Sequence, residues 1–324
     1  MEAKGKMALD IVLRARFVCD RSMHVTINPE GIDRLARLLV NMPLCQWNYE
    51  HHFYDGSERT VSYLLMLDAL NFCFFPEPRW QVVVGGEQVQ GYFGLALVLK
   101  QAFMIREPPI DDFSYLMCVK EEEVRILLQG EHPIGKIPLL KERVTILREL
   151  GDRMVSLYQG KAANLIEDAG GSAIRLTKIL VEGFPSFCDE AWYAGEKIAF
   201  YKRAQILVSD LYASFRGKSF GALREMEKLT AFADYKVPQI LRNEGVLNYS
   251  EALARIVDSK GWIRAGSAYE VEIRAGMIVA VELLRAALLR LGRALLSIEI
   301  DWLLWDMAQG REMAPHHRTL TTFY

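Results

Sequence analysis

AGMIVAVELLRAALLRLGRALLSIEI, residues 275–300, is the longest apolar tract in the chain, and its reading decides the fold. A membrane-spanning helix needs about 20 nearly uninterrupted apolar residues. Here Glu282, Arg285, Arg290 and Arg293 break the run. The tract therefore reads as a buried helix, and no membrane partner is expected.

The same helical rhythm extends outward. From about residue 139 the pattern predicts helices over 139–158, 161–168, 171–182, 190–215, 221–231, 236–243, 249–258, 268–291 and 293–308, joined by short segments such as EGFPSF and DSKGW. Upstream, NPEGIDRLARLLVNM offers Asn28 as N-cap and Pro29 at the first helical position. ERTVSYLLMLDALNFCF (58–74) repeats the spacing. RWQVVVGGEQ is the best local strand, a β-branched run ending at Gly85-Gly86, and GYFGLALVLKQAFMI returns to helix. With no low-complexity linker and no fixed-period repeat, the expectation is one compact, mostly α domain over 1–324. A small β element falls in its N-terminal part (about 1–138), with a helical part over 139–324.

At 324 residues, 51% apolar and 25% charged, the chain has ample surface to bury. Its formal charge is −2, from 39 basic and 41 acidic residues. A protein that grips duplex nucleic acid usually carries a basic surplus, so no direct nucleic-acid partner is expected. Cys19, Cys45, Cys73, Cys118 and Cys188 are scattered, without C-x-x-C spacing, which suggests neither disulfides nor zinc and fits a reducing, cytoplasmic location. The start, MEAKGKMALDIVL, has too short an apolar run for a secretory leader. There is no P-loop, G-x-G-x-x-G after a strand, H-E-x-x-H or G-x-S-x-G. Any chemistry must rest on carboxylates, lysines, histidines and aromatics, with no metal and no cofactor.

Several such groups sit on apolar faces. In EKIAFYKRAQILVSDLYASF, Lys202 and Asp210 have mostly apolar neighbours three and four residues away; they are either snorkelling groups or a cation and a carboxylate in a pocket wall. In SIEIDWLLWDMAQG, Asp301 and Trp305 share a helical face, which suits a heterocycle that stacks on the indole while donating N–H groups to the acid. WNYEHHFYDG concentrates aromatics with His51 and His52 in a loop, and Asp68 and Asn71 interrupt an apolar run. In LTAFADYKVPQIL (229–241), Phe232 and Tyr235 flank Asp234, which reads locally as a helix cap four residues before Pro238.

Taken in order, LDALNFCF, FPSFCDE, FYKRAQILVSDLY, FADYKVPQIL, EVEIRAG, DWLLWD and the terminal HHRTLTTFY resemble the queuosine salvage family, the queuosine 5′-phosphate N-glycosylases. The resemblance implies a hydrolase that cleaves the N-glycosidic bond of queuosine 5′-monophosphate, releasing queuine and ribose 5-phosphate. It also implies an all-helical centre like that of the helix-hairpin-helix DNA glycosylases, although FPSFCDE lacks the glycines with which such a hairpin approaches a DNA phosphate. It makes Asp234 the catalytic aspartate, with Phe232 against the base, Asp301 and Trp305 at the queuine edge and face, and Tyr235 and Asp210 in the site. A histidine of the early loop also touches ligand in the family; His51 is chosen, with His52 the alternative. Lys202 is placed on the ribose or phosphate side, ahead of Arg203. The expected partners are the nucleotide and queuine, bound by a monomer. The competing readings are a helix-hairpin-helix nucleic-acid glycosylase or tRNA-modification protein, and a helical scaffold without a ligand.

Overall fold

A computed structural model describes residues 7–106, 109–129 and 134–324. The first six residues of the stretch tested as a leader, MEAKGK, lie outside them. In chain order the elements are α1 (Met7–Cys19), β1 (Val25–Ile27), α2 (Pro29–Leu39), α3 (Glu58–Ala69), β2 (Gln81–Val84), β3 (Glu87–Gln90), α4 (Gly91–Ile105), α5 (Phe113–Leu116), α6 (Glu121–Leu127) and α7 (Leu140–Tyr158). They continue with α8 (Ala162–Ala169), α9 (Ala173–Gly183), β4 (Glu190–Tyr193), β5 (Glu196–Ala199), α10 (Lys202–Ser214), α11 (Lys236–Asn243), β6 (Leu247–Tyr249), α12 (Glu251–Asp258), α13 (Ala268–Arg290) and α14 (Ser297–Met307). The protein is mostly α, and no described helix is long and apolar enough to cross a membrane.

The long apolar tract splits into α13 and α14. From Val271 to Val281 every residue of α13 is buried, whereas beyond it Glu282 and Arg285 are half-buried and Arg290 is exposed. The charges that exclude a span thus mark where the helix emerges from the core. The split falls at Gly292, whose φ of 86° no L side chain adopts cheaply. α13 is the axis of one hydrophobic core, with α1, α2, α11, α14 and β1 packed on it. Gly276 permits the approach of β1: a Cβ there would stand 3.0 Å from a Val25 methyl. The second core surrounds α3, with α4, α7, α8 and α10 against it. Side chains from α10 pack in this second core, while Ile198 and Phe200, just ahead of it, belong to the first.

The N-cap of α2 forms as expected, Asn28 Oδ1 accepting the Glu30 amide at 3.1 Å after Pro29 enters the first turn. The β2–β3 hairpin turns at Gly85-Gly86 and leads into α4, also as read. Two expectations are corrected. Residues 190–215 are not one helix: 190–199 form the β4–β5 hairpin, whose turn residues Ala194 and Gly195 both have positive φ (50° and 84°), and α10 starts only after Tyr201, itself at φ 49°. A two-residue turn with both φ positive is the connection that matches strand twist. Nor is 221–231 an α-helix, since a short 3₁₀ turn at Met226–Lys228 gives way to extended chain leading to Asp234. The β content also exceeds the N-terminal element: β1 pairs with β6 across some 220 residues, which no local pattern reveals.

Candidate active site

A cavity of about 320 Å³ opens where the two cores meet, within the range of small-molecule sites. α10 supplies Lys202, Ile206, Asp210 and Ala213 to one wall, an i, i+4, i+8, i+11 row on one helical face. α14 supplies Asp301, Trp302 and Trp305. The chain after α3 brings Asn71, Phe72, Phe74 and Phe75; the start of α4 brings Tyr92 and Phe93; and the approach to α11 brings Phe232, Asp234, Tyr235 and Lys236.

Asp234 lies near the centre. Its Oδ1 accepts the amides of Lys236 and Val237, both at 2.9 Å, so it caps α11 as the sequence suggested. Burial raises its pKa above the ordinary carboxylate value, opposed by the Lys202 ammonium and by those two amides. Lys202 is buried, its Nζ 3.0 Å from the Asn71 carbonyl, and burial pulls it down to about 8 against the attraction of Asp234. Asp301 Oδ1 accepts the Phe232 amide at 2.8 Å, which fixes the strand ahead of Asp234; burial and the nearby Asp234 charge hold its carboxyl well above the usual range.

From this centre α10 and α14 both lead to an aromatic end. Trp305, one turn beyond Asp301, lies 5.5 Å from Phe93 and 5.9 Å from Tyr92, centroid to centroid. His52 lies tilted against Trp47, centroids 4.3 Å apart. Its Nδ1 sits 2.7 Å from the Asn48 carbonyl, which can only accept, so Nδ1 carries the hydrogen and Nε2 accepts from the Tyr92 hydroxyl at 2.9 Å. Burial lowers the ring's pKa to about 4 and keeps it neutral. His51, the histidine chosen from the sequence, is not part of the cavity wall. It packs on Phe93 at 4.9 Å with Nδ1 toward Asn48, and its neighbour His52 takes the wall position. The opposite end is cationic: Lys236 and Arg79 come together there, beside a triad of rings in which Tyr235 and His316 lie 4.6 Å apart and Phe75 is 5.0 Å from Tyr235.

Two supports escaped sequence reasoning, although their residues sit in the quoted blocks. Arg274 of α13, fully buried, donates Nε to the Ala233 carbonyl at 3.0 Å and Nη1 to Asp189 at 3.0 Å and Glu270 at 3.2 Å. Asp189 in turn receives the Lys202 amide at 3.3 Å through its carboxylate and the Phe200 amide at 2.9 Å through its carbonyl. One guanidinium therefore anchors the residue before Asp234 and, through Asp189, the start of α10. Beneath the cavity, the C-terminal carbonyls of α3 and its continuation are taken by three buried cations. Arg203 binds Ala69, Arg143 binds Leu70 and Phe72, and Lys202 binds Asn71. Cations are favoured at a helix C-terminus, which explains how LDALNFCF turns under the cavity without stranding its carbonyls.

A mostly α fold with an acid-rich cavity between two helical cores defines a small-molecule site. Comparison with known proteins gives the family. The family model described as Queuosine salvage protein matches residues 51–324, and the chain belongs to that family. It is 43% identical over 320 residues to a queuosine 5′-phosphate N-glycosylase/hydrolase of Sphaerobacter thermophilus, covering 98% of both chains. It is 34% identical to proteins of the same name from Mus musculus (96% of this chain, 97% of the relative) and Dictyostelium discoideum (95% and 96%).

Proposed function

We propose that the protein hydrolyses the N-glycosidic bond of queuosine 5′-monophosphate, releasing queuine and ribose 5-phosphate. The observation that carries this reading is the order of groups along the cavity. A cationic end, a central buried carboxylate beside one ammonium, and an aromatic end match, in sequence, a phosphate, a ribose and a stacked base. In this reading Lys236 and Arg79 meet the phosphate, with Tyr235 and His316 beside them. Lys202 and Asp234 flank the ribose, and Trp305, Tyr92, Phe93 and Phe232 enclose the base. His52 rather than His51 is the histidine at the base. A formal charge of −2 favours a free nucleotide over tRNA as substrate.

As the C–N bond breaks, positive charge grows on the ribose and negative charge on the departing base. Asp234, held still by two backbone amides, stabilises the oxocarbenium ion and takes a proton from the attacking water. Lys202 keeps Asp234 ionised despite its burial. A 7-deazapurine has no N7 to protonate, so the developing charge on the base must be held at its remaining edge. Water delivers its hydroxyl to C1′, and the released base gains the balancing proton.

Incubation with queuosine 5′-phosphate and chromatographic detection of free queuine tests the activity. Asp234→Asn should lower kcat by about 10³-fold, as expected for loss of a group that stabilises developing charge, while the nucleotide still binds. Near-wild-type turnover by this variant would remove Asp234 from the chemistry.

A further inference from the structure

The aromatic end holds more buried acid than its own cations balance. Asp210, on α10, is 6% exposed and lies in the cavity wall. Asp68, on α3, is fully buried and close enough for its charge to raise the pKa of Asp210, on top of the larger effect of burial. Asp210 Oδ2 and both oxygens of Asp68 have no partner within hydrogen-bond geometry, although the Asn71 side chain lies close enough to Asp68 to lower its pKa. The Tyr92 hydroxyl stands against Asp210, but its hydrogen is committed to His52 Nε2, so it cannot satisfy the carboxylate. The groups facing this pair are Tyr63 from α3, Tyr92 from α4, neutral His52, and the cations Lys202 and Arg203 of α10. Lys202 is already shared with Asp234 and Asp301, and Arg203 donates to the carbonyls of Ala69 and Ser186.

A buried carboxyl without a partner is costly, and a pair of them can coexist empty only by holding on to protons. Rings from Trp47, Tyr92, Phe93 and Trp305 line the same end. Aromatic faces beside an unpaired buried acid are what a desolvated organic ammonium requires. α10 sets the reach: Asp210 is eight residues, about 12 Å of helix, beyond Lys202. The acid pair therefore stands beyond the ribose, where the substituent of a bound base would extend.

We propose that Asp210, backed by Asp68, is the counter-ion for the secondary ammonium in the side arm of the queuine base, and so selects the arm-bearing base over a plain 7-deazaguanine. This rests on the reading of the cavity as a queuosine 5′-phosphate site. In the empty protein Asp68 titrates near 8, so the pair carries a proton at neutral pH. Binding the ammonium expels that proton to solvent, while the arm keeps its own.

The test is binding of queuine and of 7-deazaguanine to the full-length protein, by calorimetry in buffers of different ionisation enthalpy. Wild-type protein should prefer queuine and release about one proton on binding it at pH 7. Asp210→Asn should reduce the queuine/7-deazaguanine affinity ratio by about 30-fold or more, the scale for unpairing a buried charge, and abolish the proton release. Asp68→Asn should reduce both in the same direction. An unchanged ratio in Asp210→Asn, with its melting curve showing a folded protein, overturns the assignment of Asp210. A wild-type protein that binds neither base overturns instead the reading of the cavity on which it rests.

Discussion

Two buried ionic clusters lie within one element of each other and are built on opposite principles. Around Arg274, one guanidinium meets Asp189 and Glu270, and its remaining Nε takes a backbone carbonyl. Around Lys202, one ammonium is shared by Asp234, Asp301, Asp68 and Asp210. The first cluster is closed, with its donors used and its charges in contact. The second is short of positive charge and leaves carboxyl oxygens open at a cavity wall. A closed cluster positions the chain, whereas an open one is completed only by a ligand that brings the missing charge and donors.

Breaking the closed cluster should have the largest effect. Arg274→Met strands Asp189 and Glu270 without their cation, which should cost about 3–5 kcal/mol in urea-induced unfolding, and freeing Ala233 should lower kcat in whatever folded protein remains. In the open cluster the chemistry should respond to pH from both sides. On the proposed mechanism Asp234 acts ionised, so activity should fall as pH drops through its raised pKa, and Lys202 acts charged, so activity should fall as pH rises through about 8. Lys202→Arg, whose guanidinium does not titrate in this range, should move the alkaline limb of kcat/KM upward. A limb that stays in place would assign it to another group.

At the cationic end, Lys236→Ala should raise KM for the 5′-nucleotide by about 10-fold or more, the value of a charge-assisted contact, and leave the unphosphorylated nucleoside much less affected. Equal losses on both would separate Lys236 from the phosphate. A further effect is on stability. The Asp68 carboxyl, ordinarily near 3.8, is raised to about 8 in the fold, so folding takes up a proton across that window and stability is lost as pH rises through it. Asp68→Asn has no such dependence. Its Tm relative to wild type should therefore climb between pH 4 and pH 8, by about 2–4 °C for each kcal/mol gained.

The contrast between the clusters also marks what the sequence could reveal. Helices with one wet face, such as α2 and α7, announce themselves by period and caps, and the apolar tract of 275–300 resolves correctly because its charges sit where α13 surfaces. The segments between the cores do not. Residues 190–199 and 221–231 mix charged and apolar residues over stretches too short to fix a period, so strand alternation and helical spacing cannot be told apart there. The Ala194-Gly195 turn was the local signal for the hairpin. Asp301, Lys202 and Asp210 were legible as polar residues on apolar faces and Asp234 as a helix cap, and all four line one cavity. Arg274 and Asp189 were not, because their meeting joins positions 85 apart. Nor could residue types alone choose between His51 and His52, which differ only in which side of the loop faces inward.

The seam between the two cores has a consequence for heat. Each core is a contiguous apolar body, and the cavity walls are drawn from both. A nucleotide lying along the seam touches both at once and acts as a staple. At a concentration 100 times its Kd, a ligand that binds only the native state adds about 2.7 kcal/mol, here to the surface along which the molecule would otherwise first come apart. Thermal unfolding of the empty protein should accordingly be broad, with the halves free to loosen separately, and should sharpen into one transition when the seam is filled.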